Sequence, residues 1–385
     1  MTIHAPIAIS GLALTVACHA SVQLQAAVPA VPETDEEAEG TAGHLVAAWA
    51  AAGRLLDVGT KFDSKGRTWD VTVDMHNGAR IWAETVTRGT KGTLRLEDGV
   101  RASAIHPEHC WGTPDAWEYF PQGTGPQGAP VLRVADYKFG HRFVDVFENW
   151  QLVGYAVGVM ERLELRDEGL ILELIACQPR AYRPGESAVR VWRVPAVEIR
   201  ALVNIAMTAA HAALAPNPTA TTGNHCLDCK ARHACKAMRY STASIVDFSM
   251  TAELLRLDPV SMGQELRILR AAMRRLEARE TGLAAQVEAT IRAGERVPFF
   301  SMEPKQSRQV WLDDAGIEER VNLGLSVGVD IRKPPETFTP RQAIDAGIDE
   351  RIIALYSHRP PGAMTLKEDD PKATRKALSQ QVTRT

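Results

Sequence analysis

No lysine or arginine precedes Arg54. A secretory signal opens on a positive segment ahead of its apolar stretch, so "PIAISGLALTVAC", apolar and ending at a cysteine, does not read as an export or lipoprotein signal. No uninterrupted apolar run reaches the roughly 18 residues that a bilayer-spanning helix needs. That sets aside an integral membrane protein and a membrane partner. Positive charge is not in excess either: 44 Lys and Arg stand against 47 Asp and Glu, a net charge of -3. Counterion-driven binding needs clustered cations, so the chain is no uniformly basic nucleic-acid coat. Cysteine is scarce, six in 385 residues, and none follows Cys235. Six so spaced are too few for a disulfide framework and indicate a metal or cluster site in a reducing compartment, the cytoplasm. There is no internal repeat.

What is present fits a globular protein of two or three domains, with 45% hydrophobic and 24% charged residues. The acidic stretch "PETDEEAEG" precedes "TAGHLVAAWAAAGRLL", which predicts a helix beginning near Thr41 with His44 in its first turn. "TWDVTVDM" and "ARIWAETVT", separated by "HNG", are β-rich. "VLRVADYKF" and "GLILELIAC" read as strands, and "NWQLVGYAVGVMERLEL" between them has helical spacing. "PAVEIRALVNIAMTAAHAALAP" is a helix bounded by Pro195 and Pro216.

Past the last cysteine, Leu266, Leu269, Met273, Leu276, Leu283, Val287 and Ile291 form the apolar stripe of a long amphipathic helix. Its other face carries Arg267, Arg270, Arg274 and Arg275, either a solvated face or a phosphate contact. Residues 297–360 mix short strands and helices, and the polar tail from 361 onward reads as mobile.

Asp115 in "GTPDAWEYF" and Asp136 in "VLRVADYKFG" each lie at or near a strand, with Lys138 two positions after the second. Residues two apart in a strand share a face. Two carboxylates and a lysine suit phosphodiester hydrolysis: oxygen ligands hold Mg²⁺ or Mn²⁺, and the ammonium orients or helps deprotonate water. The plainer alternative is a surface strand with an incidental Asp-x-Lys pattern. Gln151 and Tyr155, four apart on one helix, are placed to pack over such a site, and His44 is a borderline ligand that favours Mn²⁺ over Ca²⁺.

The ordered series "AEGTAGH", "GTPDAW", "ADYKFG", "QLVGYA" and "CLDCKARHAC" resembles the RecB/Cas4-like branch of the PD-(D/E)XK nucleases. It is most similar to a phage and prophage family catalogued as a domain of unknown function, DUF2800-like. "LELIACQPRAY" and "GAMTLKEDDPKA" extend the resemblance over nearly the whole chain. It implies His44, Asp115 and Asp136 as metal ligands, the Tyr137 carbonyl as a further ligand, Lys138 as the catalytic lysine, and Gln151 and Tyr155 as residues that brace the site or contact DNA. The central motif reads Asp-Tyr-Lys where many relatives carry Glu first; either carboxylate ligates.

Cys226, Cys229 and Cys235 have C-x2-C-x5-C spacing, and a four-coordinate site needs one more ligand. Cys18, Cys110 and Cys177 are available. Cys177 follows a buried strand and is most simply a core residue, while Cys110 would bring the site against Asp115. Zinc is the alternative centre, with His225 or His233 as fourth ligand. The resemblance implies a [4Fe-4S] cluster completed by Cys18, with a structural role. Lys230, Arg232, Lys236 and Arg239 make the surroundings basic, for DNA or for balancing thiolate charge.

The expectation is thus an α/β protein with a PD-(D/E)XK restriction-endonuclease-like core, a mixed central sheet flanked by helices. An iron-sulfur clamp closes it over residues 1–245, a mainly helical domain covers 246–360, and a polar tail covers 361–385. The implied activity is a metal-dependent deoxyribonuclease, an exonuclease by preference, in the cytoplasm of a bacterial host. DNA is its partner, and a phage recombinase or single-strand annealing protein the partner class it would serve. The competing readings are a DNA-binding recombination accessory that cleaves little and a zinc-stapled structural phage protein.

Overall fold

The computed structural model describes residues 5–28, 33–90, 93–121, 128–181, 187–249, 259–302, 322 and 382–384. The chain runs through β1 (Ile7–Ala8), α1 (Leu12–Ala17), α2 (Ser21–Ala26), α3 (Asp35–Ala51), β2 (Lys61–Ser64), β3 (Arg67–Asp70), α4 (Val73–Thr87), β4 (Arg95–Leu96), β5 (Val100–Arg101) and β6 (Cys110–Gly112). It continues with β7 (Ala116–Phe120), β8 (Val131–Tyr137), α5 (Trp150–Arg162), β9 (Ile171–Cys177), β10 (Val189–Pro195), α6 (Arg200–Leu214), α7 (Lys236–Ser249), α8 (Pro259–Arg292) and β11 (Val382–Arg384). All of these belong to one compact unit, residues 1–293 with 368–385; residues 294–367 form a second. The division falls at Gly294, where the sequence reading puts a boundary near 245. Of the expected mixed segment 297–360, everything past 302 except residue 322 lies outside the described residues, as does the expected mobile tail apart from β11, which pairs with β10.

The central sheet has the order β11-β10-β9-β8-β7-β4. β8 and β9 are parallel and the other pairs antiparallel. A parallel pair needs a crossover, and α5 supplies it. Alternate residues of the central strands feed two cores. Leu132, Val134, Leu172 and Leu174 pack with residues of α1, α5 and α6, and Ala135, Tyr137, Ile175 and Cys177 pack with residues of α3 and α4. The protein is therefore α/β, with a mixed sheet flanked by helices.

Several local expectations change. α3 starts at Asp35 rather than near Thr41, because Thr34 and Glu37 form a reciprocal capping box and Asp35, Glu36 and Glu37 complement the helix N-terminus. His44 is thus well inside the helix. The expected second β-rich segment is helical: Thr72 caps α4 through the Met75 N–H at 3.2 Å. Buried Met75, Ala79, Trp82 and Val86 follow at helical steps, so the 3.6-residue period overrides the β propensity of the individual residues. "HNG" is no turn. Gly78 lies inside α4 because a Cβ there would come within 2.5 Å of the Tyr137 hydroxyl.

Among the described residues one helical stretch, Ala196–Leu214, is long and apolar enough to cross a membrane, although charged residues interrupt it. Here α6 packs on α1, α2 and α5, with Ala206, Ala210 and Ala213 in the core. α8 forms where expected but packs on the opposite side. Leu266, Leu269, Met273, Leu276 and Leu283 are exposed, while Ala272, Ala278 and Gly282 are buried and Arg274 and Arg275 half-buried. The arginine face is the packed one, since small residues beside it allow close approach to the cysteine loop.

Candidate active site and cysteine site

Register builds the active-site candidate. Ala116 lies opposite Ala135 in the β7–β8 ladder, which puts Asp115, just before β7, beside Asp136 near the end of β8. The Tyr137 N–H donates to Asp115 Oδ2 at 2.6 Å. Asp136 and Lys138 share a face, and Lys138 Nζ lies 3.0 Å from Asp136 Oδ2. The Asn149 side chain caps α5 through the N–H groups of Gln151 and Leu152, so Gln151 emerges in the first turn over the strand end. Its Nε2 donates to Asp136 Oδ1 at 2.9 Å and to the Tyr155 hydroxyl at 3.2 Å, and its Oε1 accepts from Lys138 Nζ at 3.1 Å. Asp136, Lys138 and Gln151 close a triangle, with Tyr155 behind it.

His44 approaches from α3, its Nδ1 3.8 Å from Asp115 Oδ2 and its ring edge-on to Tyr137. Gly43 permits this approach, since a Cβ there would come within 2.5 Å of the Phe139 ring. His44 sits beyond the first turn of α3 and faces a carboxylate. Tyr137 contributes its N–H to Asp115 and packs its ring against Trp82 and Phe139.

Burial sets the protonation of the group. It raises the Asp115 carboxyl to about 7, with the Tyr137 N–H opposing and Glu97 adding to the rise. It raises Asp136 to about 6, with Lys138 opposing and Asp115 adding. It lowers His44 to about 4, helped by Lys138. Two buried carboxyls side by side thus resist ionising together, while the imidazole is neutral with its lone pair available. A bound cation would relieve the first and use the second.

Glu97 is the site residue that the sequence reading missed. It follows β4 in the left-handed region, φ 49°, and its N–H donates to the Asp115 carbonyl at 3.2 Å. Loss of water around its carboxyl raises its pKa, and Asp136 adds to the rise. "LRLEDGV" carries no motif; only the ladder between β4 and β7 brings Glu97 here.

The six cysteines are unpaired and buried. Cys18 ends α1, and its neighbourhood is stitched to the downstream segment. Ala20 N–H donates to the Thr219 carbonyl at 3.1 Å, Gln23 Nε2 to the Ala213 and Ala215 carbonyls, and Lys230 N–H to Gln25 Oε1 at 3.1 Å. The Thr221 N–H points at Cys18 Sγ, 3.5 Å away, and the Gly223 N–H at Cys226 Sγ, 3.4 Å away. Burial raises the thiols of Cys226 and Cys229, and Cys18 and Cys235 raise both further. Cys226 and Cys235 share one buried cluster, and Cys18 reaches the same segment through the Thr221 N–H. Cys110 and Cys177 are not in this group: Cys110 packs in the core on the α5 side, and Cys177 on the side of α3 and α4. His225 Nε2 lies 3.1 Å from the Thr221 carbonyl and His233 Nδ1 3.2 Å from the Lys230 carbonyl. A carbonyl only accepts, so each of these ring nitrogens is a donor.

Arg142, in the loop after β8, pairs with Asp228 between the first two clustered cysteines, its Nη2 2.9 Å from Oδ2. The cysteine loop and the active-site strand thereby meet at the surface. Among the described residues, no group of three His, Cys, Asp or Glu side chains is drawn together into a ligand set. At Asp136 the reason is visible: its oxygens are already engaged by Lys138 and Gln151.

One family model, described as "Protein of unknown function (DUF2800)", matches residues 4–325. No curated protein matches the chain.

Proposed function

The chain belongs to the DUF2800 family, and from that starting point we propose that it is a metal-dependent deoxyribonuclease built on a PD-(D/E)XK-type core. The observation that carries this reading is the meeting of His44, Asp115, Asp136, Lys138 and Gln151, from α3, β7, β8 and α5, around one pair of carboxyls. An incidental Asp-x-Lys on a surface strand would not gather a buried second aspartate, a neutral imidazole and an amide that bonds both members of the pair.

The donor set fits a hard divalent cation that tolerates one nitrogen. Asp115 and Asp136 offer carboxylate oxygens that a bound cation would hold ionised against the effect of burial, and His44 offers a neutral nitrogen, a mixture that suits Mn²⁺ better than Mg²⁺. Once bound, such an ion stabilises charge on a phosphodiester and acidifies water. The chain's own residues do the rest. Lys138 carries the ammonium that faces the scissile phosphate or its water, Gln151 fixes Lys138 and Asp136 relative to each other, and Tyr155 holds Gln151.

We assign Cys18, Cys226, Cys229 and Cys235 to a [4Fe-4S] cluster, with zinc as the alternative centre. The role is structural: thiolate ligation would tie α1 to the segment after α6 and close a long loop. DNA is the substrate, and a recombinase or annealing protein the partner class.

The deciding experiment is a cleavage time course on end-labelled linear and on closed circular DNA with Mn²⁺ or Mg²⁺, for wild type and Asp136→Ala. The proposal expects metal-dependent cleavage by the wild type alone. Equal cleavage by Asp136→Ala, or none by either protein with any metal, would leave the binding-accessory reading in its place.

A further inference from the structure

The cysteine site has a wall that no sequence motif announces. α8 packs on the turn at 224–228 and on α7. It does so through Ala278, which shares a buried cluster with Cys226, Cys235 and Met238, and through Gly282. A Cβ at Gly282 would come within 2.6 Å of Arg232 Cγ and 3.2 Å of the His233 nitrogen, so only glycine lets the helix lie this close to the loop. Arg274 Nε donates to Asn224 Oδ1 at 2.9 Å, fixing the helix to the turn, and Arg275 Nη1 to Ser241 Oγ at 3.2 Å, fixing it to α7.

Among the described residues, three guanidinium N–H groups in this region are buried without a hydrogen-bond partner: Arg232 Nε, Arg275 Nε and Arg279 Nη1. A buried cationic donor with no acceptor is costly, and native proteins seldom keep one, still less three together. Arg232 comes from within the cysteine loop, its Nη1 held by the Leu227 and Cys229 carbonyls. Arg275 and Arg279 are one turn apart on α8. Arg275 lies three residues before Ala278, which packs in one buried cluster with Cys226 and Cys235. Neutral thiols are poor acceptors, whereas thiolates gathered on a metal are anionic and accept N–H groups readily.

We propose that Arg232, Arg275 and Arg279 are the charge-balancing wall of an anionic tetrathiolate metal centre at Cys18, Cys226, Cys229 and Cys235, and that α8 is a binding element of that centre, held against the loop by it. The inference rests on the reading of the four cysteines as one site. It adds ligand-facing residues from a helix that the motifs leave out, and it holds for iron-sulfur and zinc centres alike, since both leave net negative charge on the sulfurs. The exposed apolar side of α8 plays no part in it.

The test uses the full chain purified without oxygen, assayed for iron, acid-labile sulfide and zinc, and then followed as a chelator removes the metal. Loaded protein should protect the amides of α8 from hydrogen exchange at least about tenfold more than stripped protein. Arg275→Ala should release metal about tenfold faster than wild type, a size usual for a lost outer-shell partner. Arg275→Lys should fall between, and Leu276→Ala, on the exposed side, should match wild type. Sulfide content separates the two centres. Metal-loaded wild type whose α8 exchanges equally fast loaded or stripped overturns the proposal even if Arg275→Ala proves insoluble, and so does an Arg275→Ala that keeps wild-type release. If wild type and Cys226→Ser both lack metal, the cysteine reading itself fails, and the wall falls with it.

Discussion

The carboxylate pit and the cysteine site are opposite ways of holding ligating groups. In the pit the groups come from the ends of central strands and from helices locked onto them, and both carboxyls are engaged: Asp136 by Lys138 and Gln151, Asp115 by the Tyr137 N–H. In the cysteine site they come from short turns with a small apolar cluster, and three guanidinium donors lack acceptors. A scaffold whose carboxyls already accept hydrogen bonds from fixed neighbours keeps its shape before any ligand arrives. One that leaves charge unbalanced depends on the ligand for its order. Losing a group from the pit should therefore abolish chemistry and leave the fold; losing one from the cysteine site should do the reverse.

The sharpest break of that contrast is at β8. Asp136→Ala and Lys138→Ala should each lower cleavage by more than ~100-fold, the scale of losing a group that stabilises charge in the transition state. Circular dichroism and the melting midpoint should stay near wild type. A comparable collapse of the fold in both would place the pit and the cysteine site in one class. At the cysteines, Cys226→Ser and Cys18→Ser should lose bound metal and soluble yield together, whereas Cys177→Ser, on the core side of β9, should retain both. Metal analysis beside the soluble fraction decides between them.

A smaller effect is expected at Gly43→Ala, where the new methyl meets the Phe139 ring. Overpacking of this kind costs about 1–3 kcal/mol, to be read as a lowered denaturation midpoint, with a cleavage defect because His44 is the next residue. The smallest effect concerns pH in chelated protein. Asp115 and Asp136 titrate near 7 and 6 when folded, above the value of about 3.9 for an unfolded aspartate. Between those values the folded protein binds more protons than the unfolded one, so stability should fall as pH rises from about 4 to 7. Asp115→Asn should flatten the slope, and Mn²⁺ should restore the lost stability. Melting midpoints across that range, with chelator and with Mn²⁺, test the sign.

Much of the pit is legible in the sequence because its logic is local. Asp136 and Lys138 alternate on one strand, and Gln151 and Tyr155 are a helical turn apart. The segment of Cys18 meets the segment of the downstream cysteines through contacts that no local pattern announces. Other features depended on pairing across the fold. Glu97 reaches the pit through a two-residue ladder. "ARIWAETVT" carries several strand-favouring residues, but its buried positions Ala79, Trp82 and Val86 follow the helical period, continuing from Met75. The packed face of α8 was hidden for a different reason: amphipathicity marks the leucine side, yet close approach to the cysteine loop requires Ala278 and Gly282, and the arginines lie beside them.

The stitch between Cys18 and Thr221 spans 203 positions of sequence, and that distance is also a delay. At roughly 5–20 residues per second of synthesis, the first helix and its thiol would leave the ribosome about 10–40 seconds before their partners. Through that interval α1 and α2 have neither α6 nor the cysteine loop to pack on, and the Cys18 sulfur stands open to oxidants and to the wrong metal. The pit can take shape as its strands emerge, whereas the cysteine site is a late assembly whose completion waits on the last of its segments to be made.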